Sequence, residues 1–307
     1  MTNPSSLPAG VTVLERGWLS ANNILVQGRS GAALVDSGYC THAPQTVALV
    51  AHALGGRPLD LLLNTHLHSD HCGGNAALQA AYPAMQTHIP PGQAAFVADW
   101  NPEALSYTPT GQNCPRFHFE AVLQPGNEIR LGDLAWQVHA APGHDHHSVI
   151  LFEPASKLLL SADALWEAGF GVVFPELDGI AAMDEVAATL DLIERLAPAT
   201  VVPGHGKVFT DVQRSLAFAR KRLEGFIGDP KKHANHAAKV LLKFKLLELQ
   251  RVEYAALQCW VAETPYLQTL RRRFFDDAPA ESWLHGLLLE LVRVGAVRRE
   301  ADWVVDA

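Results

Sequence analysis

Apolar runs of strand length alternate with segments of helical spacing along most of this chain. Residues 11–27 and 32–35 read as short strands, and Ala43–Leu54 has the apolar spacing of a helix. Residues 59–64 carry Leu61-Leu62-Leu63 just after Pro58, the length of a buried strand. Gly73-Gly74 then breaks the chain, and Asn75–Ala81 reads as a helix with Asn75 near its N-cap. Residues 121–141 alternate around Pro125-Gly126-Asn127 and Gly132-Asp133, the pattern of β-hairpins. Residues 182–196 return to helical spacing and stop before Pro198. Strands and helices interleaved in this way predict an α/β class.

After Gly228-Asp229-Pro230 the pattern changes. Helices are expected at 236–250, 254–261 and 282–294, the last ending at Gly295, and residues 296–305 alternate like a hairpin. This predicts two domains, residues 1–228 and a smaller, mainly helical one at 233–307. Residues 92–118 fit neither period. Phe96, Trp100, Tyr107 and Phe117 lie there among Pro102, Pro109 and Pro115, so a long irregular loop is expected, either covering a cleft or packed for its own sake. Trp166 and Phe170 are candidates for the opposite wall of that cleft.

The chemistry concentrates in Thr65-His66-Leu67-His68-Ser69-Asp70-His71, which follows the leucine run directly. Imidazole nitrogen with carboxylate oxygen suits zinc, iron or manganese rather than calcium. His66 and His68 are two apart and would point the same way in extended chain, whereas the adjacent Asp70 and His71 point differently. The stretch therefore reads as half of a two-metal site. Further candidates recur after apolar runs: His144 beyond Pro142-Gly143, Asp163 after Leu158-Leu159-Leu160, and His205 in the Gly204–Gly206 turn. Glycines there let backbone approach closely.

Together with the upstream Leu34-Val35-Asp36-Ser37-Gly38, these motifs resemble the metallo-β-lactamase-fold hydrolase superfamily over about residues 10–225. The resemblance implies a four-layer αββα sandwich with metals at one sheet edge. It implies that His66, His68 and His144 hold one divalent ion, that Asp70, His71 and His205 hold a second, and that Asp163 bridges them. Asp36 would support the His66 loop by hydrogen bonds. Two such ions lower the pKa of a shared water, whose hydroxide attacks a small ester, thioester or related acyl compound, with Asp70 handling protons besides ligating. Zinc is the expected metal, with iron or manganese as alternatives. Asp163 makes the pattern look more like glyoxalase II-type hydrolases than like true β-lactamases, although the glutathione-binding residues of the former are not clearly matched. Competing readings within the fold are a phosphodiesterase or ribonuclease and an iron-dependent dioxygenase relative. The three helices and hairpin at the C-terminus resemble a winged-helix module, as appended to some members.

Composition narrows the partners. Charged residues are 18% of the chain and the net charge is −8, which does not favour nucleic acid or an anionic membrane. Residues 233–307 hold ten Lys or Arg against ten Asp or Glu, so that segment is expected to pack or form a homodimer rather than bind DNA. Met1 to Gly10 shows neither a basic nor an apolar leader pattern and no run suits a membrane span, so a cytoplasmic protein with a small-molecule substrate is expected. The remaining histidines are discounted as ligands: His88, His118 and His139 are isolated, while His146 and His147, close after His144, either support the ligands or line the cleft, or serve the surface. Cys40, Cys72, Cys114 and Cys259 are too dispersed for a disulfide framework.

Overall fold

The computed structural model describes residues 7–277 and 279–307; the first six residues, on which the leader expectation partly rests, lie outside them. The chain forms two compact units. One takes in the residues up to Leu105 together with Asn113–Leu223; the other combines Ser106–Gln112 with Glu224–Ala307.

In the first unit, β1 (Val11–Leu14), β2 (Asn23–Gly28), β3 (Gly31–Val35), β4 (Leu61–Leu63), β5 (Gln86–Ile89) and β6 (Ala121–Val122) form one sheet in that order. Its first three strands are antiparallel and the rest run parallel from β3 onward. A second sheet contains β7 (Glu128–Leu131), β8 (Leu134–Ala140), β9 (Val149–Glu153), β10 (Leu158–Ala162) and β11 (Thr200–Pro203), antiparallel except for the parallel β10–β11 pair. The helices of the unit, in a numbering that runs along the whole chain, begin with α1 (Ala43–Leu54), α2 (Ser69–Cys72), α3 (Asn75–Ala81) and α4 (Ala94–Asp99). Next comes α5 (Tyr107–Thr110), which belongs to the other unit, followed by α6 (Phe174–Asp178), α7 (Met183–Leu196) and α8 (Val212–Gly228).

Side-chain alternation explains the layering. Leu61, Leu62 and Leu63 point to opposite faces in turn. Leu63 joins Val26, Val35, Trp136, Leu151, Leu160 and Val202 in a core shared by both sheets, while Leu62 packs with Leu34, Val50, Leu54 and Leu78 beneath α1 and α3. Every residue of β9 and β10 is buried, so both faces of those strands are covered. The buried stripe Val186, Leu190 and Ile193 of α7 provides an apolar face of helical period for the outer side. Each such leucine or valine contributes about 1.5–3 kcal/mol by burial. The expected αββα order holds. Within 121–141, however, only β7–β8 is a hairpin; β6 pairs with β5 in the first sheet, and Leu123 to Asn127 carries the chain across to the second.

The second unit contains α5, α9 (Pro230–Leu249), β12 (Arg251–Glu253), α10 (Tyr254–Glu263), α11 (Pro265–Phe274), α12 (Ala280–Arg293), β13 (Val297–Glu300) and β14 (Trp303–Asp306). The predicted terminal hairpin is present, and β12 extends it to a sheet ordered β12-β14-β13. Several helices escape the sequence reading, the longer ones α8 and α11 among them. The apolar positions of α11, Tyr266, Leu267 and Leu270, span too short a stretch before Arg271-Arg272-Arg273 to show a period. Asp229-Pro230 marks a joint between helices: the Asp229 side chain accepts from the Lys232 N–H and caps α9, while the division between units falls earlier, between Leu223 and Glu224 within α8. The irregular loop expected at 92–118 is a correction. It contains α4 and α5, its Tyr107 and Phe117 are buried, and Ser106–Gln112 groups with the second unit. No helix among the described residues is long and apolar enough to cross a membrane.

Candidate metal centre

Four strand ends deliver the candidate ligands. His66, His68, Asp70 and His71 follow β4, His144 follows β8, Asp163 is the residue after β10, and His205 lies two beyond β11. Convergence this tight needs Gly204, because a Cβ at that position would collide with Asp163 Oδ1 and crowd His71. Two non-glycine residues beside the cluster, Asp36 (φ 59°) and Ala162 (φ 45°), adopt the left-handed backbone, a strain typical of built sites.

The seven residues come together in overlapping sets, His66/His68/His144, His66/His71/Asp163 and Asp70/His71/His205, each with its donor atoms within 4.8 Å of one another. Nδ1 of His68 and Nε2 of His144 are 2.8 Å apart, and Nε2 of His205 is 3.0 Å from Asp70 Oδ2. Asp163 lies between the sets with one oxygen toward each. Its Oδ2 is 3.5 Å from His144 Nε2, and its Oδ1 is 3.5 Å from His71 Nε2 and 3.9 Å from His205 Nε2.

Surrounding groups decide which imidazole nitrogen faces inward. Asp36 accepts from the Thr65 N–H (2.9 Å), the Thr65 hydroxyl (2.8 Å) and His71 Nδ1 (2.8 Å). With its proton given to Asp36, Thr65 Oγ1 is left to accept from His66 Nδ1 at 3.2 Å. His144 Nδ1 donates to the Val172 carbonyl at 2.5 Å. Nε2 of His66 and of His71 are buried and meet no hydrogen-bond partner. Buried polar nitrogens left this way are costly unless something else takes their lone pairs, and a divalent cation in each set would do so. The residues therefore fit a metal pair.

Electrostatics agree. Burial, with His71, His68 and His144 close by, holds the His66 imidazole well below its ordinary pKa, and burial pushes His144 down to about 4, with His68 adding to it. At His71 burial works against the imidazolium, yet Asp36, Asp163 and Asp70 outweigh it and raise its pKa well above the usual value. Burial likewise opposes the Asp163 carboxylate, but His205, His71 and His144 hold it well below the carboxylate range. The carboxylates that favour a cation at His71, beside His66 and His144 held neutral, create a demand for positive charge at one centre.

Other expectations divide. Trp166 stands at the cluster, where its Nε1 donates to Asp163 Oδ1 at 3.2 Å, whereas Phe170 is 1% exposed and packs in the interior, so it is no cleft wall. His88, His118, His139, His146 and His147 join none of the ligand sets; His146 instead pairs with Glu185 at 3.1 Å. Cys72 is buried, donates to the Leu67 and His68 carbonyls, and its Sγ lies 3.9 Å from Cys114 Sγ. Thr65 and Trp18 belong to the site and were not singled out in the sequence. Thr65 opens the ligand run itself, whereas Trp18 lies in a segment with no period to mark it.

Comparison with known proteins follows the same stretch. Residues 16–205 match the family model described as the metallo-beta-lactamase superfamily. A hydroxyacylglutathione hydrolase of Anaeromyxobacter dehalogenans (strain 2CP-C) is 33% identical over 147 residues, 48% of this chain and 47% of that protein, so the similarity spans about half of that relative's length. An acyl-coenzyme A thioesterase MBLAC2 of Gallus gallus is 26% identical over 204 residues, 62% of this chain and 73% of that protein. Among solved structures, a metallo-beta-lactamase family protein from Thermus thermophilus shares the fold with a TM-score of 0.57 at 19% identity, covering 98% of this chain and 100% of the other.

Asp36→Ala removes the acceptor of three buried donors, so it should lower the stability of the metal-stripped chain by roughly 2–4 kcal/mol in urea denaturation. A change below about 0.5 kcal/mol, the range of a neutral surface substitution, would show that these hydrogen bonds do not hold the loop.

Proposed function

The chain belongs to the metallo-beta-lactamase superfamily, and from that premise we propose that it is a dinuclear metal-dependent hydrolase of thioesters or related small acyl esters. One observation carries the reading: seven donors in overlapping sets, with one oxygen of Asp163 toward His144 and the other toward His71. His66, His68 and His144 would hold the first ion, Asp70, His71 and His205 the second, and Asp163 both. When bound, a divalent pair acidifies a shared water and polarises a carbonyl. Zinc suits this nitrogen-rich set best, with iron and manganese as the alternatives to be separated by metal analysis.

The residues of the chain supply the rest. Asp36 holds His71, and through Thr65 also His66, in the tautomer that turns Nε2 inward. Proton handling falls to Asp70. Its side chain is 16% exposed, against 0% for His71 and 6% for Asp163, so it is the carboxylate of the cluster with most access to the open side. Asp163 keeps the two sets at a fixed spacing.

The substrate class is carried over from the two named relatives, one acting on a hydroxyacylglutathione and the other on acyl-coenzyme A. Their common element is a thioester. Four cysteines, none in a disulfide, suit a reducing, cytoplasmic setting. For the second unit we propose a winged-helix-like module that packs or dimerises. Its helices, its three-stranded sheet and its even charge support that role over DNA binding.

Elemental analysis of protein purified without added metal should find two divalent ions per chain, and Asp163→Ala should lose at least one of them with nearly all thioester hydrolysis. Full metal content and activity in that variant would remove Asp163 from the site. Light scattering on the full chain should give the mass of a dimer, and a monomer at micromolar concentration would end the dimerisation proposal.

A further inference from the structure

His205 is held differently from the other imidazoles whose contacts are described above. His66, His71 and His144 each commit Nδ1 to an oxygen. His205 Nδ1 is buried and meets no hydrogen-bond partner. A ligating imidazole ordinarily donates its second N–H to an oxygen, which fixes the rotation of the ring. Around His205 aromatic rings do this instead. The Trp18 ring lies nearly parallel to it, with centroids 5.5 Å apart and planes 10° apart. Trp166 meets it edge-on at 5.7 Å and 81°, and the two indoles touch each other at 5.3 Å and 71°.

The same stretch between β1 and β2 grips the backbone on both sides of the second set. The Ala21 N–H donates to the Asp70 carbonyl (2.9 Å) and the Asn22 N–H to the Gly204 carbonyl (2.7 Å). The Asn22 amide donates to the carbonyls of Pro203 (3.0 Å) and Gly206 (2.8 Å), on either side of His205. The connection is itself fastened, because the Arg16 N–H donates to Asn22 Oδ1 and the Arg16 guanidinium to Asn23 and Thr46. Trp18 remains 55% exposed, so it is not a core residue that merely happens to be nearby.

We propose that the β1–β2 connection, residues 15–22, is the positioning element of the second metal subsite, and that Trp18 orients the His205 ring by stacking where the other ligands use a hydrogen bond. Asn22 sets the position of the His205 loop and Trp18 its ring plane. Trp166 links the stack to Asp163 through its indole N–H. Loss of the stack leaves the His205 ring free to turn and weakens one ion selectively, since none of these contacts reaches His66, His68 or His144. This inference rests on the metal-binding reading above.

The test withdraws zinc from the full-length protein with a chromophoric chelator, comparing wild type with Trp18→Ala, Trp18→Leu and Trp18→Phe. Two ions should leave the wild type in separable steps. In Trp18→Ala the more weakly held ion should leave at a zinc activity about tenfold higher or more, with the tighter step unmoved. Trp18→Leu, which keeps apolar bulk without a ring, should behave like the alanine variant and serves in its place if that one does not fold. Trp18→Phe should recover most of the loss. Wild-type steps in the alanine and leucine variants, or equal weakening of both steps, would overturn the proposal and leave the dinuclear site standing. A wild type that holds no zinc, iron or manganese would overturn the dinuclear reading and this inference with it.

Discussion

The Asp36 carboxylate, buried and held on a left-handed backbone, takes three hydrogen bonds from the ligand loop. An imidazole can offer a lone pair through one nitrogen only while the other keeps its proton, so a cluster of histidines needs something to settle which is which. Asp36 settles it for His71 directly and for His66 through the Thr65 hydroxyl, and the Val172 carbonyl settles it for His144. Without those acceptors the same residues would be interchangeable donors and acceptors bonding to one another. With them, Nε2 of His66 is left buried at the centre with no hydrogen-bond partner, and the nearest acceptor to Nε2 of His71 is Asp163 Oδ1 at 3.5 Å.

The sandwich makes this possible. Strand ends β4, β8, β10 and β11 bring the ligands from four separate stretches of chain, and the apolar core between the sheets fixes where those ends lie. The cost of gathering carboxylates and imidazoles out of water is large, and it is tolerated because each group has a partner or awaits a cation. Gly204 and Ala162 show how tight the assembly is: one can carry no side chain, and the other bends the chain so that Asp163 can face both sets.

Much of this was legible in the sequence because metal ligation demands specific residue types at specific spacings. His66, His68, Asp70 and His71 sit in one loop, and His144, Asp163 and His205 each follow an apolar run, so both the ligands and their strands could be read. Asp36 was legible only through the resemblance of Leu34-Val35-Asp36-Ser37-Gly38 to a motif of the superfamily. What could not be read depends on contacts across distant sequence. The stacking of Trp18 on His205 joins residues with no common period or motif, and nothing local marks residues 15–22 as more than a break within a strand-like stretch. Residues 92–118 misled for a related reason. Their prolines and aromatics hide two short helices, and Tyr107 and Phe117 serve packing. The α11 helix was missed because three apolar positions are too few to reveal a period.

Seven side chains would form one two-ion centre bridged by Asp163. A crystal structure of the protein as purified, with anomalous data collected at the zinc and iron edges, tests it most directly. Two anomalous peaks are expected, one among His66, His68 and His144 and one among Asp70, His71 and His205, with an oxygen of Asp163 bound to each. A single peak, or two peaks with Asp163 bound to neither, would contradict it.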